Sequence, residues 1–111
     1  MTVEFREIEQ RALAIRQQYE VWEMERYGRS WTREEIAMGF VGDVGDLFKL
    51  LLAHEGVRHI PDKEAKLAHE LADCLWSLLV LAQKYEIDLE QAFINTMNEL
   101  EEHINDKRTA S

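Results

Sequence analysis

Cysteine and proline occur once each in this 111-residue chain, and glycine only five times. A single thiol, Cys74, excludes an intrachain disulfide and any multi-cysteine zinc site. So few turn formers leave little material for hairpins, and no stretch alternates apolar and polar residues with the period of a strand. Cations are scarce as well: 13 Lys and Arg face 22 Asp and Glu, for a formal net charge of −9. Nucleic acid and anionic membranes repel such a surface, which excludes both as general partners. A small anionic ligand is not excluded, because a bound cation reverses the local field. No apolar run approaches the roughly 20 residues that span a bilayer. Met1 leads directly into a charged helical segment, unlike a signal peptide. The expectation is a cytoplasmic protein with one domain over residues 1–111, able to bury roughly two-thirds of its unfolded surface.

What the chain does contain is helical periodicity. Apolar residues Phe5, Ile8, Leu13, Ile15, Tyr19 and Trp22 trace a rough stripe along a first helix over 3–27, and Gly28 suits its C-terminal cap. Thr32 with Glu35 three residues on forms a capping box for a second helix over 33–55. Pro61 and Asp62 open a third over 62–85, and Asp88 with Gln91 starts a fourth over 89–105, leaving 106–111 as a frayed tail. The predicted fold class is all-α, a four-helix bundle-like arrangement with short links.

The chemistry lies in the acids that interrupt the apolar pattern. Leu71 to Ala82 reads LADCLWSLLVLA, broken only by Asp73 and Ser77, so the third helix is apolar on nearly every side and belongs at the centre. Glu70 sits one turn before Asp73. In the second helix the core register Ile36, Phe40, Leu47, Leu50 places Asp43 where an apolar residue is expected, with Asp46 one turn further. A lone acidic pair at this spacing is commonly a solvated helix face, and Lys49, Arg58 or Lys66 could pair with any of the four. Two pairs, each inside apolar surroundings, point instead to convergence. Converging carboxylates raise one another's pKa values. A hard divalent cation, Mg²⁺ or Mn²⁺, relieves that repulsion and prefers oxygen ligands. No Glu-x-x-His motif is present, which argues against a helical di-iron site.

These residues carry a resemblance. Val41-Gly42-Asp43-Val44-Gly45-Asp46-Leu47 resembles the first acidic motif of the MazG-like nucleotide pyrophosphohydrolases, within the all-α NTP pyrophosphatase superfamily. Glu70-Leu71-Ala72-Asp73 matches the second motif, Glu-x-x-Asp, and the Leu-rich run and Ile87 to Phe93 are similar to the family too. The resemblance runs from Trp31 to Phe93. It implies cleavage of NTPs or dNTPs between the α and β phosphates, Mg²⁺ held by Asp43, Asp46, Glu70 and Asp73, and assembly as a homodimer or homotetramer. Asp43 or Asp46 is the candidate base that activates the attacking water. The sequence departs from the family in two places. Both acids of the first motif are Asp where Glu is usual. On the last helix, where related dCTP-cleaving enzymes carry Lys, Asn and Arg, an ungapped alignment places Thr96, Leu100 and His103. The alternative function is therefore a catalytically weak relative that binds nucleotide or metal, or a helical interaction module.

The remaining residues read more simply. Gly42 and Gly45, three apart, leave one side of the second helix bare, which first of all allows close packing by another helix. Trp22 and Trp76 read as core, whereas Trp31, just before the acidic helix, is a candidate to bind substrate by stacking on a base. His54, His59, His69 and His103 have no ligand spacing and read as surface residues, and Cys74 as a small core residue.

Overall fold

The computed structural model describes residues 2–110. Four helices follow one another, α1 Phe5–Tyr27, α2 Arg33–His54, α3 Lys63–Lys84 and α4 Leu89–Thr109. No strand occurs among the described residues.

The end signals act as their chemistry requires. Gly28 closes α1 in the left-handed conformation at φ 76°, where its N–H reaches the Met24 carbonyl. At the start of α2 the Glu35 N–H donates to Thr32 Oγ1 at 3.2 Å, and the Thr32 N–H donates back to Glu35 Oε1 at 3.1 Å. Asp88 Oδ1 accepts from the Gln91 N–H at the head of α4. Asp62 precedes α3 at φ 53°, but its side chain makes no cap hydrogen bond. The tail does not fray at residue 106. Helix α4 continues to Thr109, because Lys107 and Arg108 sit in its last turn and the Thr109 hydroxyl bonds the Asn105 and Asp106 carbonyls.

Helix α3 is central, as its apolar character predicts. Helix α2 lies along it extensively and α1 packs on it more lightly, while α4 packs on none of the others to more than a slight extent. The small core consists of Ile36, Leu50 and Ala53 from α2, Cys74, Leu79 and Val80 from α3, and Ala12 from α1. Trp76 Nε1–H donates to the Ala12 carbonyl at 3.0 Å and Lys84 Nζ to Glu20 Oε1 at 2.7 Å, which ties α1 to α3. The radius of gyration is 17.9 Å, against about 13 Å for a compact domain of this length. The excess comes from α4, which has no buried residue.

The α1–α2 connection is held by charge. Arg29 donates from Nη1 and Nη2 to the two oxygens of Glu35, at 2.7 and 3.0 Å. The Arg29 hydrogen bond, then the Thr32 backbone N–H, pulls the Glu35 carboxyl from its ordinary 4.5 down to about 2. A folded-state pKa below the unfolded one stabilises the fold above the unfolded value, and that contribution is lost as pH falls through the folded one. Glu35→Gln is therefore expected to lower the melting temperature at neutral pH, with a gap from the wild type that narrows as pH falls from 4.5 towards 2. Melting curves over that range check it; a gap that is constant with pH contradicts it.

Candidate active site

The seam between α2 and α3 brings acids together. Asp43 follows Ile36 and Phe40 on the inward face of α2, so the apolar packing that buries Ile36 and Leu50 carries its carboxylate into the seam half-buried. Asp46 lies one turn on and stays exposed, while Glu70 enters half-buried from α3. One carboxylate oxygen from each of Asp43, Asp46 and Glu70 lies within 4.8 Å of the others. Asp73, the fourth residue expected, is not in that group. Its Oδ2 lies 3.1 Å from Nε2 of the exposed His69. Asp73 nevertheless lies close by, since its charge is the largest acting on both Asp43 and Glu70. Asp73 still acts on the group through its charge.

The electrostatics are those of an incomplete site. Burial raises the Asp43 pKa first, then the charge of Asp73, while a long hydrogen bond from the Ser77 hydroxyl at 3.5 Å opposes the shift. Glu70 is raised by burial and then by Asp73, Asp43 and Asp46. Glu70 Oε2 is buried with no hydrogen-bond partner among the described residues, a costly condition for a carboxylate. Lys49 Nζ stands 3.9 Å from Asp46 Oδ1, and both side chains are more than half exposed. A pair of that kind contributes little. An all-oxygen donor set with an unsatisfied buried oxygen fits a hard divalent cation. Cys74, behind the acids, is buried, and burial followed by the charges of Asp43, Glu70 and Asp73 raises its thiol pKa. The thiol stays protonated and is neither nucleophile nor ligand.

A cleft leads away from the acids. Asp43 and Ser77 border a cavity of about 210 Å³ whose other walls include Arg16, Trp31, Gly39 and Trp76. Arg16, Trp31 and Trp76 also wall a larger cleft of about 720 Å³, completed by Tyr19, Trp22 and Glu23 among others. All three tryptophans thus line one space. Trp31 is there as expected, but Trp22 is not core: it is 47% exposed. Nor does the predicted stripe of α1 face inward as a whole. Ala12, Arg16 and Glu23 are its buried residues, while Ile8, Tyr19 and Trp22 are exposed. Arg16 Nη2 donates to Glu23 Oε1 at 2.7 Å, and the same oxygen accepts the Trp31 N–H at 2.9 Å. Sequence reasoning missed this pair. The available signal was the spacing of Ala12, Arg16, Glu20 and Glu23, which repeats with a helical period and shares one face.

One further expectation changes. A Cβ placed on Gly42 or Gly45 would meet nothing within 4 Å, so no other helix of this chain packs against that bare side. Thr96, Leu100 and His103 are exposed on α4, and packing within one chain does not hold them against the acids.

Comparison with known proteins gives one match. A family model described as the MazG nucleotide pyrophosphohydrolase domain matches residues 43–106, more than half of the chain and a stretch that contains all four acids. No curated protein and no solved structure matches the chain. Among the described residues, no helix is long and apolar enough to cross a membrane.

Removing a charge from the seam relieves repulsion and takes away one of the three clustered carboxylates. Glu70→Gln is expected to raise the melting temperature in EDTA, through a gain of about 1 kcal/mol. Millimolar Mg²⁺ is expected to raise the melting temperature of the wild type and to leave that of the mutant unchanged. Thermal scans with EDTA and with Mg²⁺ check both. A mutant that Mg²⁺ stabilises as much as the wild type contradicts the assignment of Glu70.

Proposed function

The chain belongs to the MazG nucleotide pyrophosphohydrolase domain family, and from that premise we propose that it hydrolyses nucleoside triphosphates, ribo- or deoxyribo-, to a nucleoside monophosphate and pyrophosphate in a reaction dependent on Mg²⁺, for which Mn²⁺ can substitute. One observation carries this reading: three carboxylates within 4.8 Å of one another include a buried oxygen with no partner. Asp43, Asp46 and Glu70 would hold the ion, with Asp73 adding its charge and a fourth oxygen. When bound, the ion neutralises the triphosphate and polarises its phosphate oxygens.

The chain's own residues do the rest. Asp43 or Asp46 keeps one oxygen free to take the proton from the attacking water. Asp43 is the better placed of the two, because burial raises its proton affinity and the Ser77 hydroxyl orients one of its oxygens. Trp31 and its cleft receive the base, so the ester and anhydride bonds lie between aromatic walls and acids. Pyrophosphate release from a panel of NTPs and dNTPs with Mg²⁺ tests the proposal. Turnover that falls at least about a hundredfold in Asp43→Asn supports it. Binding without turnover in the wild type favours the alternative of a nucleotide-binding relative, to which the two Asp in the first motif and the missing cations on α4 point.

We also propose that the working unit is a homodimer or homotetramer. Phe93, Ile94, Met97, Leu100 and Ile104 on α4 and Leu71, Leu75 and Leu78 on α3 are each at least 40% exposed. Phe93 and Ile94 meet Leu75 and Leu78 around one strongly apolar groove. Apolar surface of this extent marks an interface, and a second copy covering it would also give α4 something to pack on. Light scattering at micromolar concentration should return two or four times 13.1 kDa; a monomer mass overturns the assembly.

A further inference from the structure

We propose that the buried Arg16–Glu23 pair reads the polar edge of the nucleobase and selects bases that carry an exocyclic amino group over uracil and thymine. The inference rests on the functional reading above, since it takes the acids as the phosphate end of the site. The geometry then fixes the other end. Arg16, Trp31 and Trp76 wall both the cavity beside Asp43 and the larger cleft, so a nucleotide with its phosphates at the acids extends past these three residues towards Glu23.

At that end stand two charged side chains that a purely aromatic stacking site would not need. Arg16 and Glu23 are 8% and 3% exposed, in the wall of a cleft that is otherwise aromatic except for Arg29, which is exposed and engaged by Glu35. The pair is not saturated internally. Arg16 Nε is buried with no hydrogen-bond partner among the described residues, the Glu20 carboxylate being 3.6 Å away and engaged by Lys84 at 2.7 Å. The position of Glu23 is fixed by Arg16 Nη2 at 2.7 Å and by the Trp31 backbone N–H at 2.9 Å, so its carboxylate anchors the backbone from which the Trp31 side chain projects. A buried, oriented charge pair that retains hydrogen-bonding capacity suits recognition, whereas for stability alone apolar residues of the same volume serve as well.

The chemistry of the pair sets the selection. A carboxylate only accepts, and a guanidinium only donates. Side by side they complement a base edge on which an amino donor adjoins a ring acceptor, as in cytosine and adenine. Turned over, they complement the guanine edge, whose ring N–H and amino group meet the carboxylate while its carbonyl meets the guanidinium. Uracil and thymine present a single N–H between two carbonyls, so one carbonyl is forced against the carboxylate or left without a donor. A site built on buried polar groups rejects such a mismatch strongly.

The test is the affinity of the wild-type protein for CMP, AMP, GMP and UMP in Mg²⁺, by calorimetric titration. The three amino-bearing nucleotides are expected to bind at least about tenfold more tightly than UMP. Glu23→Gln offers an amide donor as well as an acceptor, so it should narrow the gap between CMP and UMP; a merely structural role would weaken all four equally. Should Glu23→Gln fail to fold, judged by circular dichroism, the wild-type series and Arg16→Lys decide, with the latter expected to narrow the same gap. Equal wild-type affinities for CMP and UMP, or uniform loss in the variant, overturn the inference. The hydrolysis reading is judged separately by pyrophosphate release. Turnover without base preference leaves that reading standing and sinks this one, selective binding without turnover does the reverse, and neither binding nor turnover sinks both.

Discussion

Repulsion among the carboxylates in the α2–α3 seam is the interaction around which the rest of the molecule is arranged. One carboxylate oxygen from each of Asp43, Asp46 and Glu70 lies within 4.8 Å of the others, and the lysine beside them, Lys49, is exposed and 3.9 Å from Asp46. Like charges do not come together unless other contacts hold them. Here Ile36, Leu50 and Ala53 on α2 and Cys74, Leu79 and Val80 on α3 provide those contacts. The most extensive helix packing in the chain thus lies where the electrostatic opposition is greatest. That packing keeps Glu70 Oε2 dry and without a partner, and it raises the pKa values of Asp43 and Glu70. On the proposed reading, the packing holds these acids ready for a cation at some expense of stability.

Much of this was legible because it depends on local chemistry. Caps are written in single residues, so Gly28, the Thr32–Glu35 box and Asp88 mark their helix ends correctly. Asp43 was legible because it replaces an apolar residue in a clear register, and Glu70 because it adjoins the most apolar helix. Periodicity does not give the rotation of each side chain around its helix, which is why Asp73 was placed with the others although it turns towards His69. The inward face of α1 was illegible for a different reason. Hydrophobic periodicity identifies a buried face only when that face is apolar, and α1 turns Arg16 and Glu23 inward while leaving Tyr19 and Trp22 at the edge of a cleft. The run of α4 to Thr109 depends on cations and a hydroxyl in its last turn, a signal weaker than a glycine stop.

The helices divide the work unequally. Helices α2 and α3 carry the acids and most of the core, and the family match begins at Asp43 itself. Helix α1 and the Trp31 connection lie before that stretch, yet they build most of the aromatic cleft. The clustered acids and the aromatic cleft therefore draw on different parts of the chain. Arg29–Glu35 and Glu23–Trp31 are the contacts that join them, since both fix the connection from which Trp31 projects. Helix α4 contributes almost nothing to one chain's packing and leaves an apolar row from Phe93 to Ile104 exposed.

Everything above turns on whether the acidic seam is a cation site. Crystals grown with Mn²⁺ and measured at its absorption edge test that directly, because the anomalous signal locates the ion independently of any reaction. The account predicts a peak within coordination distance, about 2.2 Å, of oxygens from Asp43, Asp46 and Glu70. A seam without anomalous density at millimolar Mn²⁺, with Glu70 Oε2 satisfied by a proton or by a side chain instead, would contradict it.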